Sequence, residues 1–196
     1  MLNISCFIII AICVAMTWQE GLWTNALSMV NALFAAIIAS MYFEPLAGFL
    51  DTQMPSYTYF NDFLAIWFIY CLAFLFLRTI AETLSPSRVR FKLPVDKIGG
   101  AIAGLSTAWF VVMFFLVTIH VAPLNQIPFK GTFSPTPTAN NFFVGPDRMW
   151  LGFLQSRSDG AMATSGPNRF DPDSEFILKY GERRLRFSKE KKMRVK

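Results

Sequence analysis

The sequence offers few side chains that could do chemistry in its apolar part. His120 is the chain's one histidine, and it lies two residues before the end of an apolar run. A lone histidine at such a place is more often an interfacial residue than a member of a proton relay, and it cannot alone form a multi-histidine metal site. The sequence also contains no strained Gly-x-Ser-x-Gly turn, phosphate-binding loop or dinucleotide fingerprint. We therefore predict no catalytic, cofactor or metal site, and expect a protein that is not an enzyme.

The three cysteines do not indicate redox or metal chemistry. Cys6, Cys13 and Cys71 all lie inside apolar runs, where a small thiol behaves as a hydrophobic side chain. Their odd number and wide spacing fit neither a disulfide framework nor a zinc site.

Charge and hydropathy divide the chain into two parts. Overall 54% of the residues are hydrophobic, 16% are charged and the mean hydropathy is +0.40, whereas about 25% of residues are charged in ordinary soluble domains. Residues 1–122 carry a net charge of −1 and residues 123–196 a net charge of +6, which together give the chain's +5. We therefore interpret 1–122 as a membrane region and 123–196 as a basic, soluble tail.

Four apolar runs predict an all-α, polytopic bundle of four transmembrane helices over residues 1–122. A spanning helix needs roughly 20 apolar residues, and about 17–25 are tolerated. The predicted spans are 2–18, 22–43, 63–80 and 98–122. Pro45 falls outside these spans and is expected to end a helix, while Asp96 is placed to cap the start of the fourth one.

The first and third runs are short, and each has an alternative interpretation. The first run resembles the apolar part of a cleaved signal peptide, but no Lys or Arg precedes residue 78, whereas a signal peptide begins with a basic segment. The third run could insert only partly, although its sequence from Phe63 to Tyr70 is very apolar. We favour two retained, spanning helices.

The loops between the predicted spans differ in charge. Loop 82–97 contains four Lys or Arg residues and two acidic residues, and loop 44–62 contains three acidic residues but neither Lys nor Arg. The positive-inside rule therefore predicts that loop 82–97 is cytoplasmic, and that loop 44–62 and the C-terminal tail lie outside. If one short run does not cross the membrane, the predicted side of the tail reverses.

Two stripes of small residues predict how the spans pack. Lipid tails are as apolar as leucine, so helices associate in membranes where small residues let their backbones approach closely. Residues four apart share one helix face, and the second and fourth spans each contain such a series. The two series are Ser28, Ala32, Ala36 and Ser40 in the second span and Gly100, Gly104 and Ala108 in the fourth. We expect the two spans to meet along them, unless the small residues only reflect the usual composition of membrane helices.

Three polar residues, Asn25, Ser28 and Asn31, lie near the start of the second span. Isolated polar residues in a membrane usually hydrogen-bond to neighbouring helices. A substrate site is the alternative.

The tail is predicted to be largely irregular. Residues 123–170 are rich in Pro, Gly, Asn, Ser and Thr, a composition typical of linkers. Two islands are exceptions. Asp147 could cap a short helix that carries Trp150, Leu151 and Leu154, and residues 173–180 could form another that ends near Gly181.

The last 14 residues, Arg183–Lys196, contain eight Lys or Arg residues and one acidic residue. Such a run is usually a solvated terminus. The alternative is attraction to anionic lipid head groups, at about 1 kcal/mol per basic residue near the surface. Nucleic acid is not an expected partner.

Two segments resemble the colicin V production protein (CvpA) family. Residues 20–30 resemble the opening of that family's second helix, where an Arg-Gly-Phe pattern precedes a Glu-Ala-Leu-Ser stretch; Gly21, Ala26, Leu27 and Ser28 match it. Residues 96–105 resemble the family's Asp-Arg-x-x-Gly-x-x-x-Gly start of the last helix, with Asp96, Gly100 and Gly104 in the matching positions. The resemblance covers residues 1–122, with the spans in the same order.

The sequence departs from this family at two places. Glu20 stands where the family has a basic residue, and Ser106-Thr107-Ala108 replaces a common Leu-Arg-Gly. Both departures remove positive charge near an interface. The resemblance implies a multi-pass protein of the bacterial inner membrane that is linked to colicin V production or secretion and to envelope processes. It transfers no catalytic residue.

We therefore expect an accessory protein that acts through helix packing and partners, either other membrane proteins or further copies of this chain. The alternative is a small transporter or channel subunit. The spans lack the ionisable residues that ion and proton pathways usually need, which disfavours that alternative.

Overall fold

The computed structural model describes residues 1–85, 89, 91–124, 128–134, 136, 138–159 and 170–189. Every regular element in these residues is helical, which confirms the predicted all-α fold. The helices are α1 (Leu2–Thr17), α2 (Leu22–Gln53), α3 (Thr58–Leu84), α4 (Leu93–Val121), α5 (Pro146–Asp159) and α6 (Phe176–Lys189), with short 3₁₀ helices at Pro55–Tyr57 and Pro128–Gly131.

Three of these helices are long and apolar enough to cross a membrane. They are Leu22–Gln53, Leu93–Val121, and α3 together with the 3₁₀ turn before it, Pro55–Leu84. Helix α1 has 16 residues, and at 1.5 Å per residue its length of about 24 Å falls short of a hydrocarbon core of ~30 Å. The structure thus contains three candidate spans and a shorter apolar helix, where the sequence predicted four spans.

Helices α2, α3 and α4 extend beyond the predicted spans, and Pro45 does not end α2. A proline inside a helix removes a hydrogen bond and costs about 3 kcal/mol, but Phe43 and Ala47 on either side of Pro45 are buried in the core. Their burial keeps the helix intact to Gln53. The predicted external loop 44–62 is therefore reduced to a turn of a few residues before α3.

Helix α2 packs against both α3 and α4, and α1 packs along α4. Leu2 and Cys6 cluster with Leu116 and Ile119 near the end of α4, whereas Thr17 adjoins Gly104 near its beginning. Helices α1 and α4 are therefore antiparallel. The four helices α1–α4 form one bundle, in which the end of α3 and the start of α4 lie at the opposite end from the turn between α2 and α3.

The tail was predicted to be largely irregular except for two islands, and helices form at both of them: residues 146–159 are α5 and residues 176–189 are α6. Both helices pack into the bundle, because their apolar faces complete the core that α2, α3 and α4 begin. The tail residues in that core are Trp150, Leu151, Leu154, Phe176, Ile177 and Tyr180. Helices α5 and α6 are thus part of the folded unit.

Helix α6 begins at Phe176 and continues through Gly181, where the sequence predicted an end. Asp171 Oδ1 caps its start by accepting hydrogen bonds from the backbone N–H groups of Glu175 and Phe176 at 2.8 and 3.1 Å. A glycine inside a helix costs about 1 kcal/mol. Contacts that Arg183 and Arg184 make with the bundle, described below, compensate for this cost.

The outward face of α3 is apolar. Phe68, Leu72 and Phe76 are 61%, 59% and 65% exposed, and they recur at intervals of four residues along one face. A large exposed apolar surface of this kind fits contact with lipid.

Candidate functional site

The start of α2 and the start of α4 meet in a polar corner. Asp96 lies in the first turn of α4, and its Oδ1 accepts a hydrogen bond from the backbone N–H of Leu22, the first residue of α2, at 3.0 Å. The first N–H groups of a helix lack acceptors within the helix and carry a partial positive charge. Asp96 therefore caps α2. The prediction that it caps α4 is wrong, because α4 begins earlier than predicted, at Leu93.

Glycines at this corner allow the close approach. A Cβ on Gly21 would lie 2.9 Å from Asp96 Oδ2, and a Cβ on Gly100 would lie 3.3 Å from the carbonyl oxygen of Glu20. A Cβ on Gly104 would overlap the Thr17 hydroxyl and lie 3.0 Å from Thr17 Cβ. The glycines of the predicted packing stripe in α4 thus face the turn between α1 and α2.

Asn25 joins the three parts of this corner. Its side chain is buried, with 1% exposed. Its Nδ2 donates to the carbonyl oxygens of Thr17 and Gly100, both at 3.0 Å, and more weakly to that of Glu20 at 3.4 Å. This is the kind of interhelical hydrogen bonding that the sequence predicted for Asn25. One amide therefore satisfies carbonyl groups at the end of α1, in the turn and in α4.

The structure gathers four of the motif residues, Gly21, Asp96, Gly100 and Gly104, within this corner. The remaining motif positions, Ala26, Leu27 and Ser28, lie on α2 one turn further and are half-buried.

The other members of the predicted stripes lie deeper in the bundle. Ala32, Ala36 and Ala108 are buried. Ser40 is also buried, but its hydroxyl accepts a hydrogen bond from Trp150 Nε1 at 3.1 Å, so it contacts α5. That the two stripes hold the bundle together stays a prediction.

A second polar cluster lies at the opposite end of α4. Nε2 of His120 lies 2.8 Å from Asp147 Oδ2, and Asn141 Nδ2 donates to the same oxygen at 2.9 Å. Both side chains of the His120–Asp147 pair are 1% exposed. Because an ionised carboxylate only accepts hydrogen bonds, Nε2 is the donor. His120 is thus a buried partner of the tail, which corrects its interpretation as an interfacial residue.

Arg184 closes this cluster from α6. Its guanidinium donates to the backbone carbonyls of Ile119 and His120 in the last turn of α4, where a helix has unpaired acceptors and a partial negative charge. The guanidinium also lies over the ring of Phe133, 5.2 Å from its centroid, and that ring contacts the His120 ring at 4.7 Å. Arg184 therefore caps α4.

Four further polar contacts attach α6 to the bundle. Arg183 forms an ion pair with Asp62 at 2.5 Å and donates to the carbonyl oxygen of Thr58. Glu44 accepts hydrogen bonds from Lys179 at 2.6 Å and from Tyr180 at 3.2 Å. The prediction of a solvated basic run is therefore wrong for Arg183 and Arg184. Residues 190–196 of that run lie outside the described residues.

The surroundings of these groups shift their protonation equilibria. Burial alone would raise the pKa of Asp147, but hydrogen bonds from His120 and Asn141 outweigh it and hold that pKa below its usual range. Burial lowers the pKa of Arg184 to about 10, so the guanidinium stays charged at neutral pH. Burial also raises the pKa of Tyr180, which keeps its hydroxyl protonated as the donor to Glu44.

The sequence alone gave no signal for the His120 cluster. Asp147 and Arg184 lie 27 and 64 positions after His120, and no local pattern links them. The hydrogen bonds of this cluster attach α5 and α6 to the end of α4. The described part of the chain contains no group of three or more His, Cys, Asp or Glu side chains arranged to hold a metal ion.

A family described as "Colicin V production protein" matches residues 2–137, which is well over half of the chain. No curated protein and no solved structure matches the chain. The matched range includes the polar corner and ends just before the residues that form α5 and α6.

Proposed function

The chain belongs to the colicin V production protein family, and from this premise we propose that it is an accessory protein of the bacterial inner membrane. In this proposal it supports toxin production or secretion and envelope processes by binding other membrane proteins or further copies of itself, and it catalyses no reaction. The match over residues 2–137 bears out the resemblance of residues 20–30 and 96–105. Together with the apolar helices, it identifies a membrane protein.

The apolar outward surface of the bundle is the observation that carries this proposal. Phe68, Leu72 and Phe76 on α3 are mostly exposed, while Asp96 and His120 of the two polar clusters are hydrogen-bonded within the chain. A bundle of this kind binds lipid and other transmembrane helices through its outer faces.

In the proposal α1 also crosses the membrane, so that the bundle has four spans. Its outward residues Phe7, Ile8 and Ile12 are more than half exposed, and its other face packs along α4. A helix a few ångströms shorter than the hydrocarbon core is accommodated by local thinning of the bilayer, at a modest cost per ångström.

The proposed orientation has loop 82–97 in the cytoplasm and the tail outside. Support comes from the charge of that loop and from the geometry of α4, whose two polar clusters lie at opposite ends. Asp96 and His120 are 24 positions apart, or about 36 Å along a helix, which exceeds a hydrocarbon core of ~30 Å. Arg88 and Arg90 of the loop lie outside the described residues.

The terminal basic run is proposed to contact anionic lipid through Arg186, Lys189 and the residues that follow. Arg186 and Lys189 are exposed, and Arg183 and Arg184 are engaged within the protein. A spin label at Ser188 tests this contact. We expect lower water accessibility in anionic than in neutral vesicles, and a smaller difference at 1 M salt, where the Debye length is about 3 Å.

Crosslinking in native membranes, followed by purification of the tagged full chain, tests the proposed role. We expect defined membrane-protein partners or a homo-oligomer, together with reduced toxin in the medium when the protein is removed from producing cells. Normal toxin release without the protein would contradict the role in production. Reporters fused after Lys196 test the orientation, since phosphatase activity there requires an external tail.

A small transporter or channel subunit is the second candidate, because polar residues of α2 line a cleft between the helices. Solute flux in proteoliposomes that contain only this chain would favour it over an accessory role.

A further inference from the structure

A cleft opens between α1 and α3, in the half of the bundle that contains the polar corner around Asp96. Helix α1 packs on α4, and α3 packs mainly on α2, so α1 and α3 form two separate walls above a floor of α2 and α4. The cleft has a volume of about 570 Å³. Pockets of about 300–1,000 Å³ are of the size that holds small ligands.

The floor of this cleft is polar. Thr24, Asn25, Ser28 and Asn31 line it, and their spacing of three and four residues places them on one face of α2. Asn31 lies nine residues after Leu22, or about 14 Å along the helix, which is close to half of a ~30 Å hydrocarbon core. Polar groups at such depth usually face a cavity or a partner that satisfies them.

Asn25 has an acceptor that the protein leaves unused. Its Nδ2 makes three hydrogen bonds within the corner, but its Oδ1 is buried and has no partner among the described residues. An unsatisfied buried acceptor costs about 1–3 kcal/mol. A ligand that brought an O–H or N–H donor to Oδ1 would remove this cost.

The walls and the mouth of the cleft differ from its floor. Met16, Tyr70 and Phe74 give apolar walls, whereas Arg78 and Glu82 lie at the mouth and form an exposed ion pair at 2.8 Å. A bound molecule would therefore meet apolar surface along its length, hydrogen-bonding groups on one side and charges of both signs at the interface. This is the chemistry that recognises an amphiphile with a polar head.

We propose that this cleft binds a membrane lipid whose head group donates hydrogen bonds, through hydroxyl or ammonium groups, to Asn25 and the polar face of α2. The acyl part of the lipid lies between Met16 and Phe74. The inference goes beyond the accessory role above, and it requires only that the bundle lies in a bilayer.

Three phospholipids with the same acyl chains make a sharp test. Phosphatidylethanolamine has N–H donors, phosphatidylglycerol has O–H donors, and the head group of phosphatidylcholine has neither. Native mass spectrometry of the purified full chain measures how tightly each lipid is retained. We expect phosphatidylcholine to bind about fivefold more weakly than the better of the other two, the loss that corresponds to one hydrogen bond.

Matched variants test whether the lipid binds in the cleft. Ser28→Phe fills the cleft and should abolish the preference for donor head groups, whereas Val30→Phe adds the same ring to an exposed position of α2 and should preserve it. The native cysteines give a second measurement on the unaltered protein. Cys13 lines the cleft and Cys71 is exposed elsewhere, so a donor lipid should slow alkylation of Cys13 without changing that of Cys71.

The pattern of lipid binding identifies the donor group. Preference for phosphatidylethanolamine alone identifies the ammonium donor, and preference for phosphatidylglycerol alone identifies the hydroxyl donor. Equal binding of all three lipids overturns the proposal. So does a preference that survives Ser28→Phe, or protection of Cys13 that appears only when the chain dimerises, since a second copy would then be the occupant.

Discussion

The carboxylate of Asp96 accepts a hydrogen bond from the backbone N–H of Leu22, across 74 positions of sequence. Side-chain hydrogen bonds also join other helix ends of the bundle. Asn61 Nδ2 donates to Asp51 Oδ1 at 2.8 Å where α2 turns into α3, and Trp23 Nε1 donates to Ser85 Oγ at 2.9 Å where α3 ends. Polar side chains thus connect helix ends, while small and apolar residues fill the space between the helices.

The Asp96 cap should contribute measurably to stability. We expect Asp96→Ala to lower the free energy of unfolding by about 1 kcal/mol, the usual loss of a helix N-cap. Asp96→Asn keeps an acceptor oxygen and should lose less. Thermal unfolding of the purified chain in detergent measures both variants. A larger loss for Asp96→Asn than for Asp96→Ala would show that the carboxylate does not act as a cap.

The space around Gly104 leads to a prediction about packing. Gly104→Leu should destabilise the bundle because its Cβ alone overlaps the Thr17 hydroxyl, and overpacking a tight contact costs about 1–3 kcal/mol. Gly100→Leu should act similarly, since its Cβ would meet backbone atoms of the turn at 3.3 Å. Ala101→Leu changes an exposed position and serves as the control. Folded protein recovered in detergent is the measurement.

A second substitution tests whether the Thr17 contact is the cause. Gly104→Ala introduces only the Cβ, and Thr17→Ala removes the hydroxyl that this Cβ would overlap. The double variant should therefore be more stable than Gly104→Ala alone. Additive losses in the double variant would mean that Gly104 matters for another reason.

The sequence predicted the helices better than it predicted their ends and partners. Apolar runs identified α1 to α4 because helices in a membrane need long uncharged segments, but Pro45 was expected to end α2. Burial of Phe43 and Ala47 overrides the local preference of proline, and the Phe43 ring contacts Phe176 and Tyr180 of α6. Asp96 was recognised as a cap, yet the helix it caps begins 74 residues earlier. His120 was singled out as the chain's one histidine, but its pairing with Asp147 of the tail was not predicted. Contacts between distant segments have no local pattern, so only the folded chain reveals them.

The His120–Asp147 pair should make attachment of α5 sensitive to acid. The pKa of Asp147 is held below its ordinary value of about 4 in the folded state. A carboxyl group with a lowered pKa stabilises the fold above its unfolded-state pKa, and this contribution is lost as the pH falls through the lowered value. We therefore expect limited proteolysis of the tail to increase below about pH 4. Asp147→Asn should already expose the tail at neutral pH, and its proteolysis should change less on acidification.

Removing Arg183 from its ion pair with Asp62 should destabilise the protein more than removing Asp62. The Asp62 side chain is 5% exposed, whereas that of Arg183 is 27% exposed. Removing one partner of a buried pair leaves an uncompensated charge and costs about 3–5 kcal/mol, and the cost is larger when the remaining charge is the more deeply buried one. We therefore expect Arg183→Ala to destabilise the attachment of α6 more than Asp62→Ala does. The double variant leaves no unpaired charge, so it should recover part of the loss of Arg183→Ala.

Arg186→Ala is a matched control in the same helix, because Arg186 pairs with Glu182 at 3.8 Å on the exposed surface, where such pairs contribute about 0–1 kcal/mol. Protease cleavage rates within α6, compared with thermal unfolding of the whole chain, separate detachment of the tail from loss of the bundle. Equal cleavage rates for Arg183→Ala and Arg186→Ala would contradict a role for the buried pair.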